Sequence, residues 1–297
     1  MTATTVAQRL SPGALRAQAP WLLRVSRPAL WINTVGTAFV GLWMTGTLFT
    51  WRFVPVLLWL TLPFNLLIYG VNDVSDLDTD ARNERKGGWQ GARIASHDVG
   101  SILRWVAALN LPFLLYFAGA YPWQAVAVAL LYAGIFIGYS LPPRFKAHPF
   151  VDSLSNAAYA LPLVLVPVAL EAPVSWMAAA GLMVWSAAKH SFDAIQDRAE
   201  DSAAGLETTA VVLGQAGTLV YCGALWLLST LCFATLDVTL ALLNGVFAAG
   251  LIVRMARART RSAYERVYAW SVAFPYVVGG YAGVGLALSL ARAQWGH

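Results

Sequence analysis

Charge is scarce in this chain. Asp, Glu, Lys and Arg make up only 12% of its 297 residues, about half their share in soluble domains. Mean hydropathy is +0.59, which excludes an ordinary water-soluble globule. Cysteine is nearly absent. Cys222 and Cys232 fall in one apolar run, so they read as packing residues rather than a disulfide or metal pair. A secretory pattern is missing too: the opening MTATTVAQRLSPGALRAQAP is polar and has no apolar core, so residues 1–20 read as a polar cytoplasmic segment and not a cleaved signal. No internal repeat stands out.

What the chain has instead is apolar runs of a length that crosses a bilayer as helix. Nine spans are expected, near 28–47, 54–72, 101–119, 123–141, 153–170, 174–192, 213–233, 237–254 and 267–290. The expected fold class is therefore an all-α integral membrane protein, one transmembrane domain over residues 1–297. With the N-terminus inside, only Arg52 and Arg292 of the 20 basic residues lie outside. That is a strong positive-inside bias. It accounts for the formal charge of +5 without any nucleic-acid partner.

The acidic residues are as unevenly spread. Of 15, only Glu171 and Asp237 fall on the outer side. Two clusters close apolar spans on the cytoplasmic side, NDVSDLDTD and DAIQDRAED. Wound as helix, Asn72, Asp73, Asp76 and Asp80 share an arc of about 100°, with Asp78 outside it as a solvated loop residue. Asp193, Asp197 and Asp201 follow at i, i+4 and i+8, with Glu200 drifting onto their stripe. One acidic run past a span is ordinary solvated loop, but two on one side need a cation, because like charges at this spacing repel. Oxygen-only ligands suit Mg²⁺, which keeps waters and takes few carboxylates plus phosphate oxygens.

Cations interleave with these acids: Arg82, Arg85 and Lys86, then Arg144 and Lys146, then Lys189 and Arg198. Positive-inside anchoring explains part of this. A diphosphate held between Mg²⁺ and basic side chains explains both signs at once. A divalent-cation transporter is the alternative from another class. It fits less well, because transport sites sit near the bilayer midplane and these clusters lie at one edge.

On these residues the chain resembles the UbiA superfamily of intramembrane prenyltransferases. The first family motif is matched by Asn72, Asp73, Asp76, Asp80 and Arg85, and the second by Asp193 with Asp197 and Asp197 with Asp201. Gly205, Thr208 and Thr209 follow it. Tyr139, Ser140, Arg144 and Lys146 in YSLPPRFK match an element between the two, and SRPALWINT resembles the entry to the family's first helix. The resemblance implies helices around a central cavity and Mg²⁺-dependent transfer of a prenyl group from an allylic diphosphate to a lipophilic acceptor. It gives Asn72, Asp73, Asp76, Asp80, Asp193, Asp197 and Asp201 to metal. Arg85, Lys86, Arg144, Lys146 and Arg198 go to the diphosphate, and Asp76, Asp197, Tyr139 and Lys146 to catalysis.

Within the family, NERKGGWQGA and the stretch containing Pro149, Asp152, Ser153, Ser155 and Asn156 are similar to lycopene elongases, as is His190. That branch implies dimethylallyl diphosphate as donor and lycopene or another acyclic carotenoid as acceptor. An aromatic quinone precursor or a porphyrin-type acceptor is the alternative. A long acceptor implies an apolar tunnel ending near Tyr139, with WINTVGTAFVGLW and SNAAYALP as walls and Asn33 facing inward.

Overall fold

A computed structural model describes residues 12–46, 50–77 and 94–295. Among them the chain is helical, with no strand. Helix α1, Pro12–Val25, precedes a 3-10 turn, Pro28–Asn33, and α2, Val35–Met44. The helical run α3 is Trp51–Ser75. It is followed by α4, Val99–Ala120, and α5, Trp123–Ser140. Run α6, Val151–Ala169, leads to α7, Trp176–Ala194, then α8, Thr209–Ala234, α9, Val238–Arg257, and α10, Arg261–Trp295.

Six of these (α3, α4, α5, α6, α8 and α9) are long and apolar enough to cross a membrane. The other three expected spans are helical, and two of them fall short of that standard for visible reasons. The first is divided at Thr34, between the 3-10 turn and α2. Helix α7 carries Lys189, His190 and Asp193 in its last turns. The third expected span lies within the 35-residue α10. Leu115, Trp123, Leu131, Val220, Leu231, Val246 and Val284 stand exposed on the flanks, where lipid is a better solvent for them than water.

Pro63 sets the shape of α3. Proline has no N–H to give the preceding turn, so carbonyls there lose their partner. Asn65, fully buried, repairs the gap: its Nδ2 donates to Leu60 O at 2.7 Å and Thr61 O at 2.9 Å. The Thr34 hydroxyl also donates to Leu60 O, at 2.9 Å. Asn110 of α4 does the same from the other side, donating to Pro63 O at 2.8 Å while accepting from Trp59 Nε1 at 2.9 Å. These bonds fix the break in α3 against α2 and α4. A π-helical turn, Leu66–Gly70, then delivers Asn72 to Asp76 to the end of the run.

Packing around that break is aromatic. Trp59 meets Phe64 at 4.5 Å and Phe117 edge-on at 5.4 Å between centroids, and Phe64 meets Tyr132 at 4.2 Å. Elsewhere small residues let backbones approach, as membrane helices require. A Cβ on Gly41 would sit 3.1 Å from Pro162 O, so α2 and α6 touch there. Cys222 and Cys232 are free thiols on α8, and Cys222 Sγ donates to Ala188 O at 3.2 Å.

Candidate active site

Both acidic clusters interrupt their helices rather than continuing them as unbroken stripes. Run α3 ends at Ser75 and leaves Asp76 as its C-cap, with φ −109° and ψ 13°. In the second cluster α7 stops at Ala194, a 3-10 turn spans Ile195–Asp197, and a short helix, Arg198–Ala203, carries Asp201. A helix C-terminus is its negative end, so a carboxylate such as Asp76 there is unfavourable unless a cation attends it.

Cations attend. Lys146 is buried, and its Nζ lies 2.6 Å from Asp76 Oδ1 and 2.7 Å from Ser75 Oγ. Arg144 Nη2 is 3.7 Å from the same carboxylate oxygen. Arg144 holds the left-handed conformation at φ 60°, a strained setting for a side chain with a Cβ. Asn72 Nδ2 donates to Asp76 Oδ2 at 3.0 Å, which leaves the Asn72 carbonyl oxygen as the ligand-type atom. Asp73 is wholly buried and takes the Arg27 guanidinium at 2.5 Å. Arg27 also lies over the Tyr69 ring, 4.8 Å from its centroid.

Across the site, Lys189 pairs with Asp193 Oδ2, and Ser271 of α10 donates to Asp193 Oδ1. Thr208 donates to Asp201 Oδ2 at 3.4 Å. Burial, reinforced by the neighbouring charge of Asp197, pushes the Asp201 carboxyl up to about 7. Arg198 keeps a buried Nε without a hydrogen-bond partner, and its Nη2 lies 3.7 Å from where a Cβ on Gly214 would stand.

Tyr139, at the end of α5, does not face Asp76 alone. Its hydroxyl is 3.4 Å from His190 Nε2, with the rings edge to face. The same Nε2 is 3.8 Å from Asp152 Oδ2. Asp152 is fully buried and is held by the Thr209 backbone N–H at 3.0 Å and by the Thr209 hydroxyl. So Tyr139, His190, Asp152 and Thr209 tie α5, α7, α6 and α8 together beside the acids.

Two cavities lead into this end. One of about 180 Å³ is lined by Asn156, Lys189, His190, Asp193 and Tyr268. A larger one of about 580 Å³ is lined by Val40, Leu163, Leu182, Phe233 and Val278, and runs to Asp237 and Tyr281. Asn33, Tyr159, Trp185, Ser186 and Pro275 line both. Helix α7 is their common wall. Ala178, Leu182, Trp185, Ser186, Lys189, His190 and Asp193 form one stripe at helical spacing, about 22 Å long, apolar at one end and polar at the other. Where one tunnel is expected, the structure has two adjoining cavities, with Asn33 and Tyr159 lining both and His190 and Asp193 lining the smaller. Tyr139 lines neither cavity and stands behind His190.

Asp80, Arg85 and Lys86 lie outside the described residues, as do Asp78 and Arg82. Among the described residues no three His, Cys, Asp or Glu side chains converge to hold a metal ion. The physical reason is the pairing above: Asp73, Asp76 and Asp193 each turn to a basic side chain. Sequence reading missed Arg27 as the partner of Asp73, Ser271 as the partner of Asp193, and the bond from Thr209 to Asp152. The α7 stripe was available from its spacing.

The fold is thus a helical bundle of membrane-spanning length with adjoining cavities and paired carboxylates and basic side chains at one end. A family model described as the UbiA prenyltransferase family matches residues 34–274, and the chain belongs to that family. It is a multi-pass membrane prenyltransferase. The lycopene elongase/hydratase of Halobacterium salinarum is 36% identical over 269 residues, 87% of this chain and 94% of that protein. The lycopene elongase/hydratase of Haloferax volcanii is 34% identical over 277 residues, 90% of this chain and 88% of that protein. In fold, the chain is similar to a UbiA homologue from Archaeoglobus fulgidus bound to DMAPP and Mg²⁺, with TM-score 0.66 and 19% identity, covering 88% of this chain and 99% of that one.

Proposed function

We propose that the protein transfers the prenyl group of dimethylallyl diphosphate to lycopene or another acyclic carotenoid, with Mg²⁺, at the acidic end of the bundle. The single observation behind the acceptor is the 580 Å³ apolar cavity that runs along α7 and reaches the polar chamber at His190 and Asp193. The names of the two haloarchaeal relatives favour a carotenoid over a quinone precursor or a porphyrin alcohol.

The donor set suits a hard divalent ion held loosely. Asn72, Asp73, Asp76, Asp193, Asp197 and Asp201 offer oxygen ligands, joined by Asp80 on the strength of the motif. Basic partners already balance Asp73, Asp76 and Asp193, so Mg²⁺ enters with the diphosphate rather than ahead of it. When bound, Mg²⁺ neutralises charge on the departing diphosphate and so eases ionisation of the allylic carbon. Lys146 and Arg144, with Arg198 and by motif Arg85 and Lys86, supply charge-assisted hydrogen bonds to the same leaving group. Asn72 orients one oxygen of Asp76. The apolar wall of Val40, Leu163, Leu182 and Val278 excludes water from the allylic cation until an acceptor double bond attacks it.

The acidic end faces the cytoplasm in this reading, as the distribution of Lys and Arg requires. A divalent-cation transporter receives no support from a chamber whose longer arm is apolar. The experiment is expression in a lycopene-accumulating host. Carotenoids of 45 and 50 carbons are expected, and a host whose lycopene is unchanged while a quinone precursor gains a prenyl chain moves the protein to the other acceptor class.

A further inference from the structure

We propose that His190 is the base that ends the reaction. Resting on the carotenoid reading above, it accepts the proton released after the new carbon–carbon bond has formed. An allylic cation that adds to the terminal double bond of an acyclic carotenoid leaves a tertiary cation on the acceptor. That cation has two neutral outcomes. A neighbouring C–H bond breaks and its electrons form a new alkene, or water adds through oxygen and gives a tertiary alcohol. Each releases one proton, and the site must take it.

His190 is placed to do so. It lines the polar chamber where the apolar cavity meets the acids. Its Nε2 faces the Tyr139 hydroxyl at 3.4 Å and Asp152 Oδ2 at 3.8 Å. A carboxylate on that side favours the proton on Nε2 and leaves the lone pair on Nδ1, which has no hydrogen-bond partner among the described residues. Protonation at Nδ1 makes an imidazolium whose charge Asp152 balances. Thr209 fixes that carboxylate through its N–H and its hydroxyl, so Asp152 is a positioning residue acting through His190.

The other protein groups named in the chamber wall are worse bases. Lys189 is an ammonium paired with Asp193 Oδ2, and Ser271 occupies Asp193 Oδ1. A phenol such as Tyr139 is neutral near physiological pH and a weak base. A positioned base contributes about 10²- to 10⁴-fold to such a step.

The test uses the full-length protein in membranes with dimethylallyl diphosphate, Mg²⁺ and lycopene, comparing wild type with His190→Gln and Asp152→Asn. Diphosphate release and prenylated carotenoid are both counted. In His190→Gln, diphosphate release continues, while prenylated acceptor per diphosphate released falls by about 100-fold. The unquenched adduct fragments, water captures the allylic cation, and the donor carbons appear as the free five-carbon alcohol. Asp152→Asn moves the same ratio in the same direction.

A wild-type ratio in His190→Gln overturns the inference and leaves the acceptor assignment standing. Loss of diphosphate release together with product overturns it as well, since it places His190 in folding or donor binding. A wild-type protein that prenylates no carotenoid overturns the acceptor assignment first and this inference with it.

Discussion

Lys146 Nζ lies 2.6 Å from Asp76 Oδ1 and 2.7 Å from Ser75 Oγ, which joins the loop after α5 to the C-terminus of α3. The ammonium is buried, so the pair is far more costly to break on one side than a surface salt bridge. In the function proposed above, it also sits where the leaving group of a prenyl donor gathers positive charge, so that one contact would serve the fold before substrate arrives and the chemistry afterwards.

Lys146→Met is therefore expected to raise the KM for the diphosphate donor and to lower kcat by about 100-fold, on the scale of one lost electrostatic contact to a leaving group. Stability falls by about 3 kcal/mol, because Asp76 loses its buried ammonium partner while Arg144 stands farther off, at 3.7 Å. Diphosphate release and thermal unfolding in detergent measure the two effects. A kcat within threefold of wild type contradicts the assignment.

Asp76→Ala and Asp197→Ala remove carboxylates from opposite sides of the site. Both variants are expected to insert and fold, with wild-type helix content, and to lose turnover at any Mg²⁺ concentration. Restoration by excess Mg²⁺ would mean that the carboxylates serve only to tune affinity.

The Asp201 carboxyl sits near 7 through burial and the charge of Asp197. A ligand must shed its proton to take a metal, so Mg²⁺ affinity rises as pH passes upward through about 7. Stability moves oppositely. The folded state binds more protons than the unfolded chain between the ordinary carboxylate range and about 7, so this group's contribution falls as pH rises across that window. Asp201→Asn flattens both slopes. Mg²⁺ titrations and melting curves from pH 5 to 8 check the signs.

Much of this was legible in the sequence because bilayer physics is strict. Apolar runs became helices, and the acids collected at one end because a carboxylate inside hydrocarbon is expensive. What escaped was pairing at long range. Arg27 and Asp73 are 46 residues apart, and Asp152 and Thr209 are 57 apart. Spacing says nothing about such partners. The acid stripes were drawn as continuous helix, yet Asp76 caps α3 and a 3-10 turn divides Asp193 from Asp201. Periodicity could not show that each helix ends near its acids.

Asn65 is the repair for the Pro63 break, and its loss should be structural. Asn65→Leu leaves the Leu60 carbonyl with Thr34 and strips Thr61 O of its side-chain donor. Stability should drop by about 1 to 3 kcal/mol, given about 0.6 to 1.7 per hydrogen bond inside membrane bundles. Activity per folded molecule should change little at low temperature. A specific loss of kcat without a change in melting would assign Asn65 to the site instead.

Leu182 faces the large cavity from α7. Leu182→Trp should narrow it and raise the KM for a long carotenoid by tenfold or more, with donor binding intact. An unchanged acceptor KM would place the carotenoid elsewhere.

The most direct measurement supplies membranes containing the protein with dimethylallyl diphosphate, Mg²⁺ and lycopene, and separates the products. Lycopene should gain five carbons at one end and then at the other, one diphosphate appearing for each addition, with no reaction when Mg²⁺ is chelated. Unchanged lycopene beside prenylation of a quinone precursor in the same membranes would contradict the account.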